Sequence, residues 1–149
     1  MDTKAIDAIV LPKPVGNFLF YRVVSDLVYL SGQTCARDGQ MLFQGRVGED
    51  LTVEEGYQAA RVCMENLFAA LKMSVNGDWS RVLECIRLTG YVNSQAPFAK
   101  TPAVMNGASD LVVEIMGEEA GQHARSAVGV SALPGNAAVE VEAIFRILN

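Results

Sequence analysis

Strand-like patterning dominates the first third of the chain. Two runs rich in aromatic and β-branched residues, Phe18 to Val24 and Leu27 to Leu30, flank the turn-forming pair Ser25-Asp26. This arrangement predicts a β-hairpin whose second strand ends at Ser31-Gly32-Gln33. A further short strand is predicted at residues 41–43, and the segment before residue 15 is predicted to be an arm or short turn.

Helical spacing then replaces the strand pattern. Thr52, with Glu55 three residues later, has the signature of a capping box. Apolar residues at helical spacing predict one buried stripe, formed by Tyr57, Ala60, Met64, Leu67, Phe68 and Leu71. We expect this helix to end before Asn76-Gly77, and a second helix to run from Thr101-Pro102, as N-cap and first helical residue, to Gly117.

Three apolar runs predict the remaining strands. Residues 82–92 are apolar on both faces, which is typical of an interior strand. After a polar loop at 118–124, residues 125–130 and the run starting at Val139 predict two strands joined by a Pro-Gly-Asn turn. Alternation places Glu140 and Glu142 on one face of the last strand and Val139 on the other.

The order β-β-(β)-α-β-α-β-β indicates the α+β class, in a single domain covering residues 1–149. Two helices of this size cover only one face of a sheet. Because the strands carry apolar residues on both sides, we expect the second face to be buried in a closed homo-oligomer.

Composition narrows the function classes. The net charge is −5 and no basic cluster occurs, so nucleic acid is not an expected partner. The three cysteines lack a CxxC spacing, which argues against disulfides and a zinc site and fits a reducing cytoplasm. Neither a signal-peptide pattern nor an apolar run of about 20 residues occurs, so a cytoplasmic protein without a membrane anchor is expected.

Few residues are candidates for chemistry. Arg125 opens an otherwise apolar strand, and Glu140 requires a partner if its face is buried, so an Arg-Glu site in a subunit cleft is a reasonable hypothesis. Ser31-Gly32 fits an ordinary strand end and a ligand-facing wall equally well. His123, the only histidine, is interpreted as a solvated loop residue or helix-end neighbour rather than a catalytic base, because no oriented nucleophile accompanies it.

Four motifs together carry a family resemblance. They are Ser31-Gly32-Gln33, the run Arg125-Ser126-Ala127-Val128-Gly129-Val130, Leu133-Pro134, and Val139-Glu140-Val141-Glu142-Ala143. In these motifs the chain resembles the RidA/YjgF family, also called endoribonuclease L-PSP, over about residues 15–147. The resemblance implies a chorismate-mutase-like fold, with a mixed sheet, two helices on one face and a homotrimer whose sheets form a barrel.

The resemblance also implies roles for residues at matching positions. Arg125 matches the arginine that clamps a substrate carboxylate, and Glu140 the glutamate that holds or activates water. Ser31 and Gly32 match a wall of the pocket, and Asn106 matches an asparagine on the second helix.

At two pocket-wall positions the chain departs from the family pattern. The usual cysteine is Ala127 here, and a frequent tyrosine is Phe18. Both departures change the pocket wall, so the substrate of this chain is expected to differ from that of the main branch, or the site to bind without turnover.

Three functions follow as hypotheses. The first is hydrolysis of enamine or imine intermediates to 2-keto acids and ammonia without a metal or organic cofactor. The second is a non-catalytic trimer that binds a small carboxylate-bearing metabolite. The third, a ribonuclease, rests only on a family label and conflicts with the acidic charge.

Overall fold

A five-stranded mixed sheet organises the chain, which the computed structural model describes in full from Met1 to Asn149. Its strands are β1 (Tyr21–Val24), β2 (Leu27–Thr34), β5 (Val82–Asn93), β6 (Ala124–Val130) and β7 (Val139–Ile147). They lie in the order β1-β2-β7-β5-β6, antiparallel except for the parallel pair β5 and β6. A separate two-stranded hairpin joins β3 (Ala36–Arg37) to β4 (Gln40–Met41).

Two long helices, α2 (Val53–Ser74) and α3 (Thr101–Met116), pack against one face of this sheet. The core between them is a single cluster of 31 buried residues. The α+β class, the mixed sheet and the two helices on one face are therefore confirmed. Two short helices, α1 (Lys4–Asp7) and α4 (Glu118–Gly121), complete the fold.

The start of α2 follows the predicted capping box. The Thr52 side chain accepts a hydrogen bond from the Glu55 amide, and the Glu55 carboxylate accepts one from the Thr52 amide at 2.7 Å. Because both amides belong to the group that an α-helix cannot satisfy internally, this exchange fixes the first turn. Tyr57 is only half-buried, whereas Gly56 and Ala59, absent from the predicted stripe, are buried.

Alternation along β7 separates the two faces of the sheet. Val139, Val141 and Phe145 are buried in the core beneath the helices. Glu140 and Glu142 lie on the opposite face, which no helix of the chain covers. We call this second surface the helix-free face. The sequence prediction that both glutamates share one face is confirmed.

Several boundaries differ from those predicted. The first strand starts at Tyr21, so Phe18 lies in the irregular segment before it, and the predicted arm contains a short helix whose Ile6 is buried in the core. Thr101 is the first residue of α3 rather than its N-cap, and its hydroxyl donates to the Ala127 carbonyl at 3.1 Å instead of capping the helix. The polar loop predicted at 118–124 contains α4.

The sequence predicted β6 and β7 as two strands joined by a turn, but not their places in the sheet. They follow one another in sequence, but both pair with β5, which lies between them. A parallel pairing of β5 with β6 across α3 places the new strand on the outer side of β5, since the inner side is already paired with β7. Arg125 and Glu140 are consequently held on strands that do not touch.

Candidate functional site

Arg125 lies on the helix-covered side of the edge strand β6, where α3 faces it. Its Nη1 donates to Asn106 Oδ1 at 2.9 Å and to Ser109 Oγ at 3.0 Å, and its Nη2 donates to the Pro102 carbonyl at 3.3 Å. Pro102, Asn106 and Ser109 are spaced four and three residues apart, which puts them on one side of α3. One helix face therefore supplies all three oxygens. We call Arg125, Asn106 and Ser109 the arginine half-site.

The guanidinium of Arg125 keeps donors available after these contacts. Arginine has five N–H donors, of which the three hydrogen bonds to α3 use three. The Nε–H and one N–H on Nη2 have no partner within the chain. Nε and Nη2 lie on the same edge of the guanidinium plane, and two parallel N–H groups on one edge match the two oxygens of a carboxylate.

Two of the predicted pocket residues stand beside this guanidinium. Asn106 contacts Arg125 directly. Ala127 lies two residues along β6, on the same side of the strand, and is half-buried against the core. The methyl group of Ala127 adds no donor, acceptor or nucleophile to the half-site.

Glu140 and Gly32 form a second contact, across the strands β7 and β2. A Cβ placed on Gly32 would overlap the Glu140 carboxylate, with Cδ at 3.0 Å and Cγ at 3.2 Å. The backbone at Gly32 is therefore covered by the glutamate side chain. Only glycine leaves this space, so the pairing of Gly32 with Glu140 is steric. We call Gly32, Glu140 and Glu142 the glutamate half-site.

The environment of Glu140 disfavours its charge. Burial, and then repulsion from Glu142, raise the pKa of Glu140 above its usual value. Tyr91, opposite Glu140 on β5, also has a raised pKa, because of burial first and the negative charge of Glu142 second. A carboxylate with a raised pKa that borders an open face is suited to accept and return a proton.

Ser31 contacts the backbone of the segment that contains Phe18, at Leu19 and Phe20. The Ser31 hydroxyl donates to the Leu19 carbonyl at 2.6 Å, and the Ser31 amide donates to the Phe20 carbonyl at 2.9 Å. These bonds hold the segment before β1 against the end of β2. The Ser31 hydroxyl hydrogen is thus used within the chain, and the oxygen keeps acceptor capacity. Phe18 is about half exposed.

The two half-sites are not brought together within one chain. The arginine half-site lies between β6 and α3, whereas the glutamate half-site lies on the helix-free face, with β5 between their strands. Ser31 and Glu142 are among the residues that line a cavity of about 300 Å³ on the helix-free face, but Arg125 is not. One chain thus presents the predicted residues as two separate groups.

His123 lies in the two-residue connection between α4 and β6 and is half-buried. Its Nδ1 lies 2.6 Å from the Gly121 carbonyl, at the last residue of α4, and its Nε2 lies 2.9 Å from Ser109 Oγ. His123 is thus a loop residue beside a helix end, as predicted, but both of its ring nitrogens have partners within the chain. His123 also approaches the arginine half-site through Ser109.

Ser109 and Tyr91 were missed in the sequence. Ser109 follows Asn106 by three residues, and that helical spacing was the available signal. Tyr91 lies in a run that is apolar on both faces, and only its register opposite Glu140 reveals its position near the carboxylates.

The structure contains neither a cluster of side chains suited to a metal ion nor a helix suited to span a membrane. No three or more His, Cys, Asp or Glu side chains are grouped so that they could hold a metal ion. None of the helices combines the length and apolar character that crossing a bilayer requires.

Known proteins resemble this chain over nearly its whole length. Protein TCP17 of Trypanosoma cruzi is 40% identical over 136 residues, which cover 91% of this chain and 84% of that protein. The crystal structure of Atu1372 from Agrobacterium tumefaciens has a TM-score of 0.87 and 37% identity, covering 97% of this chain and 89% of that one. A Shewanella oneidensis structure, described as "a putative endoribonuclease", has a TM-score of 0.88 and 35% identity over 93% of this chain and 90% of its own.

The sequence profile described as "YjgF/chorismate_mutase-like, putative endoribonuclease" matches residues 6–146. This range contains both half-sites and every strand except the last residue of β7. The chain belongs to the YjgF/chorismate-mutase-like family.

Proposed function

We propose that this protein hydrolyses reactive enamine or imine intermediates to 2-keto acids and ammonia, at sites formed between subunits. The observation that carries the proposal is the Arg125 guanidinium, held from one side by three oxygens of α3 with two N–H donors left for a ligand. A substrate that contains a carboxylate beside the reacting carbon fits this fork.

Glu140 is the proposed partner for water. Its carboxylate lies over the Gly32 backbone, which leaves it no room to shift toward β2. Its raised pKa makes it a stronger proton acceptor than an exposed glutamate. It is therefore suited to orient a water molecule and to exchange protons with the reacting group.

The proposed reaction needs no metal, because a protonated imine carbon is already electrophilic. The water oxygen bonds to that carbon while the C=N π electrons move to nitrogen. Glu140 takes a proton from the added oxygen and returns it to the nitrogen. The C–N bond then breaks with its electrons leaving on ammonia, while Glu140 accepts the remaining hydroxyl proton as the carbonyl of the 2-keto acid forms. Glu140 finally gives this proton to the ammonia, which leaves as ammonium.

A homotrimer is proposed because one chain cannot join the half-sites. The strands β1 and β6 are open edges of the sheet, and the helix-free face exposes the apolar side chains of Tyr29 and Val128. Open edges and exposed apolar groups are usually covered in a stable protein. Closing three sheets around an axis would cover them and bring the arginine half-site of one subunit to the glutamate half-site of the next.

The direct test generates the substrate in place. An amino-acid oxidase produces imines from several amino acids, and an imine-trapping reagent reports how long they survive. The wild-type protein is expected to lower the trapped product for at least one amino acid, and Arg125→Ala to lose this effect.

Arg61→Ala is the matched control, since Arg61 pairs with Glu114 on the outer surface of α2 and α3, away from both half-sites. If the wild-type protein leaves the amount of trapped imine unchanged for every amino acid tested, the hydrolase function is ruled out. Activity that survives Arg125→Ala would overturn the assignment of Arg125 as the residue that binds the substrate carboxylate.

A binding trimer is the second candidate. The arginine half-site is complete within one chain and presents its donors without help from Glu140. Ala127 supplies no reactive group. Thermal stabilisation by 2-ketobutyrate that is lost in Arg125→Ala, without turnover in the trapping assay, would favour this function over the first.

A ribonuclease is the less favoured candidate, suggested only by the description of the family and of the Shewanella relative. The net charge of −5 opposes binding to RNA phosphates. The single histidine is engaged by Ser109 and Gly121. RNA cleavage by a preparation free of contaminating nucleases would be required to support this function.

The cytoplasm is the proposed location. All three cysteines, Cys35, Cys63 and Cys85, are free and buried. Free thiols in this number are compatible with a reducing compartment.

A further inference from the structure

A continuous chain of hydrogen bonds runs from the tip of α4 to the Arg125 guanidinium. The Gly121 carbonyl lies 2.6 Å from His123 Nδ1, His123 Nε2 lies 2.9 Å from Ser109 Oγ, and Ser109 Oγ lies 3.0 Å from Arg125 Nη1. Ser109, His123 and Arg125 are all half-buried. The helix α3, the connection between α4 and β6, and the strand β6 therefore meet at the serine hydroxyl.

When the imidazole ring is neutral, the direction of every hydrogen bond in this chain follows from its two ends. A carbonyl oxygen only accepts, so His123 Nδ1 must be protonated to bond to Gly121. In the neutral ring Nε2 is then an acceptor, and the Ser109 hydroxyl donates to it. The Ser109 oxygen keeps its lone pairs for the Arg125 N–H, because a guanidinium only donates.

We propose that Ser109 and His123 are positioning residues for Arg125: the histidine, locked as the Nδ1–H tautomer by Gly121, orients the Ser109 hydroxyl so that its oxygen holds one corner of the guanidinium. This inference rests on the proposed function only in assuming that Arg125 binds the carboxylate of a substrate. The hydrogen-bond chain itself involves no substrate.

The two hydrogen bonds made by Arg125 Nη1 explain why Ser109 matters. Asn106 Oδ1 takes one hydrogen of Nη1 and Ser109 Oγ takes the other, so together they fix the plane of the guanidinium. Without Ser109, only the Asn106 contact at Nη1 and the longer Pro102 contact at Nη2 would hold the guanidinium, and its plane would be less well defined. A carboxylate that needs two parallel N–H donors would then meet a less defined fork.

The first experiment reads the histidine directly. His123 is the only histidine in the chain, so long-range ¹H–¹⁵N NMR of the full-length protein gives one imidazole pattern. In alkaline buffer we expect a protonated Nδ1 and an unprotonated Nε2, the opposite of the tautomer that free histidine prefers in water. An Nε2–H tautomer, or an averaged mixture, would overturn the proposal.

Two substitutions of His123 separate positioning from packing. In His123→Gln the amide oxygen can reach the place of Nε2 and accept from Ser109, whereas the shorter side chain in His123→Asn can reach only the place of Nδ1. We expect His123→Gln to retain most of the 2-ketobutyrate affinity and His123→Asn to lose about as much as Ser109→Ala. Equal affinity of both His123 variants would contradict the proposal.

Ser109→Ala is expected to weaken 2-ketobutyrate binding by about 5- to 20-fold, since one hydrogen bond to a charged group is lost. In the trapping assay the loss should appear in KM, with kcat changed little. A crystal structure of Ser109→Ala should show the guanidinium displaced from its contact with Asn106 Oδ1. An unmoved guanidinium would overturn the positioning role.

Failure of the proposed function is distinguishable from failure of this inference. If wild-type protein neither binds 2-ketobutyrate nor consumes imines, the function is wrong, while the tautomer and the guanidinium displacement still decide the positioning role. If binding is strong but the tautomer is Nε2–H, the function stands and the positioning role does not.

Discussion

At Gly32 the missing side chain leaves the space that the Glu140 carboxylate occupies. The clash that a Cβ would create involves the end of a flexible side chain, which can rotate away at little energetic cost. A residue of this kind therefore affects the site more than the fold.

Gly32→Ala should lower imine hydrolysis by about 10-fold or more, while lowering the free energy of unfolding by less than about 1 kcal/mol. The displaced carboxylate no longer lies where water must be held. The trapping assay gives the rate and urea denaturation gives the stability.

A double-mutant cycle provides the control. In a Glu140→Ala background there is no carboxylate to displace, so adding Gly32→Ala should cost nothing further in activity. Additive losses would mean that Gly32 acts on something other than Glu140.

At the scale of elements, a glycine on α3, Gly107, allows α2 and α3 to pack closely. A Cβ on Gly107 would overlap the Tyr57 carbonyl group on α2. On α2 itself, a Cβ on Gly56 would meet side-chain methyl groups of Val47 and Val104, at 3.0 Å and 3.1 Å. Backbone atoms cannot move aside without shifting a helix, whereas methyl groups can.

Gly107→Ala is therefore expected to destabilise the fold by about 1–3 kcal/mol, despite the higher helix propensity of alanine. Gly56→Ala, the matched control, should cost less. Urea denaturation of both variants checks the ranking, and a larger loss for Gly56→Ala would contradict the backbone contact. Since α3 carries Asn106 and Ser109, a shift of this helix should also weaken the clamp.

An ion pair on the outer surface links the same two helices. Both Nη atoms of Arg61 donate to the Glu114 carboxylate, at 3.0 Å and 2.7 Å, and this hydrogen bonding lowers the pKa of Glu114. A lowered pKa in the folded state stabilises the fold above the unfolded-state pKa, about 4.3 for glutamate, and this contribution is lost as pH falls through the folded-state value.

Glu114→Gln should thus lower the free energy of unfolding near neutral pH by at most about 1 kcal/mol, because the Glu114 side chain is largely exposed. The difference from wild type should disappear in acid. Glu119→Gln, at an exposed position outside any ion pair, is the control. A pH-independent difference for Glu114→Gln would point to packing instead of charge.

At the scale of the whole molecule, the separation of the half-sites gives a complementation test. Arg125→Ala and Glu140→Gln should each be inactive alone. In trimers mixed at equal ratio by co-refolding, about a quarter of the subunit boundaries should combine an intact Arg125 with an intact Glu140 and recover activity.

The control is each variant refolded by itself, which should stay inactive. Light scattering of the mixture should give the mass of three chains. A mixture that forms trimers without recovering activity would show that both residues must come from the same subunit.

The sequence by itself determined the main helices and strands and the identity of the candidate residues. The capping box at Thr52 and the alternation around Glu140 depend on neighbours within a few positions, so spacing alone predicts them. Arg125 and Glu140 could be chosen because charged residues inside apolar strands need a partner. The family resemblance added Asn106, which the structure places in contact with Arg125.

Only the tertiary structure decided how these residues are arranged. The insertion of β5 between β6 and β7 depends on long-range pairing, which leaves no mark on local spacing. The same pairing puts Arg125 on one face and Glu140 on the other. It also brings Ser109 of α3 to Arg125, and His123, from the connection between α4 and β6, to Ser109. Alternation fixes which residues share a face of one strand, but only the order and direction of strands fix which strands, and therefore which side chains, come together.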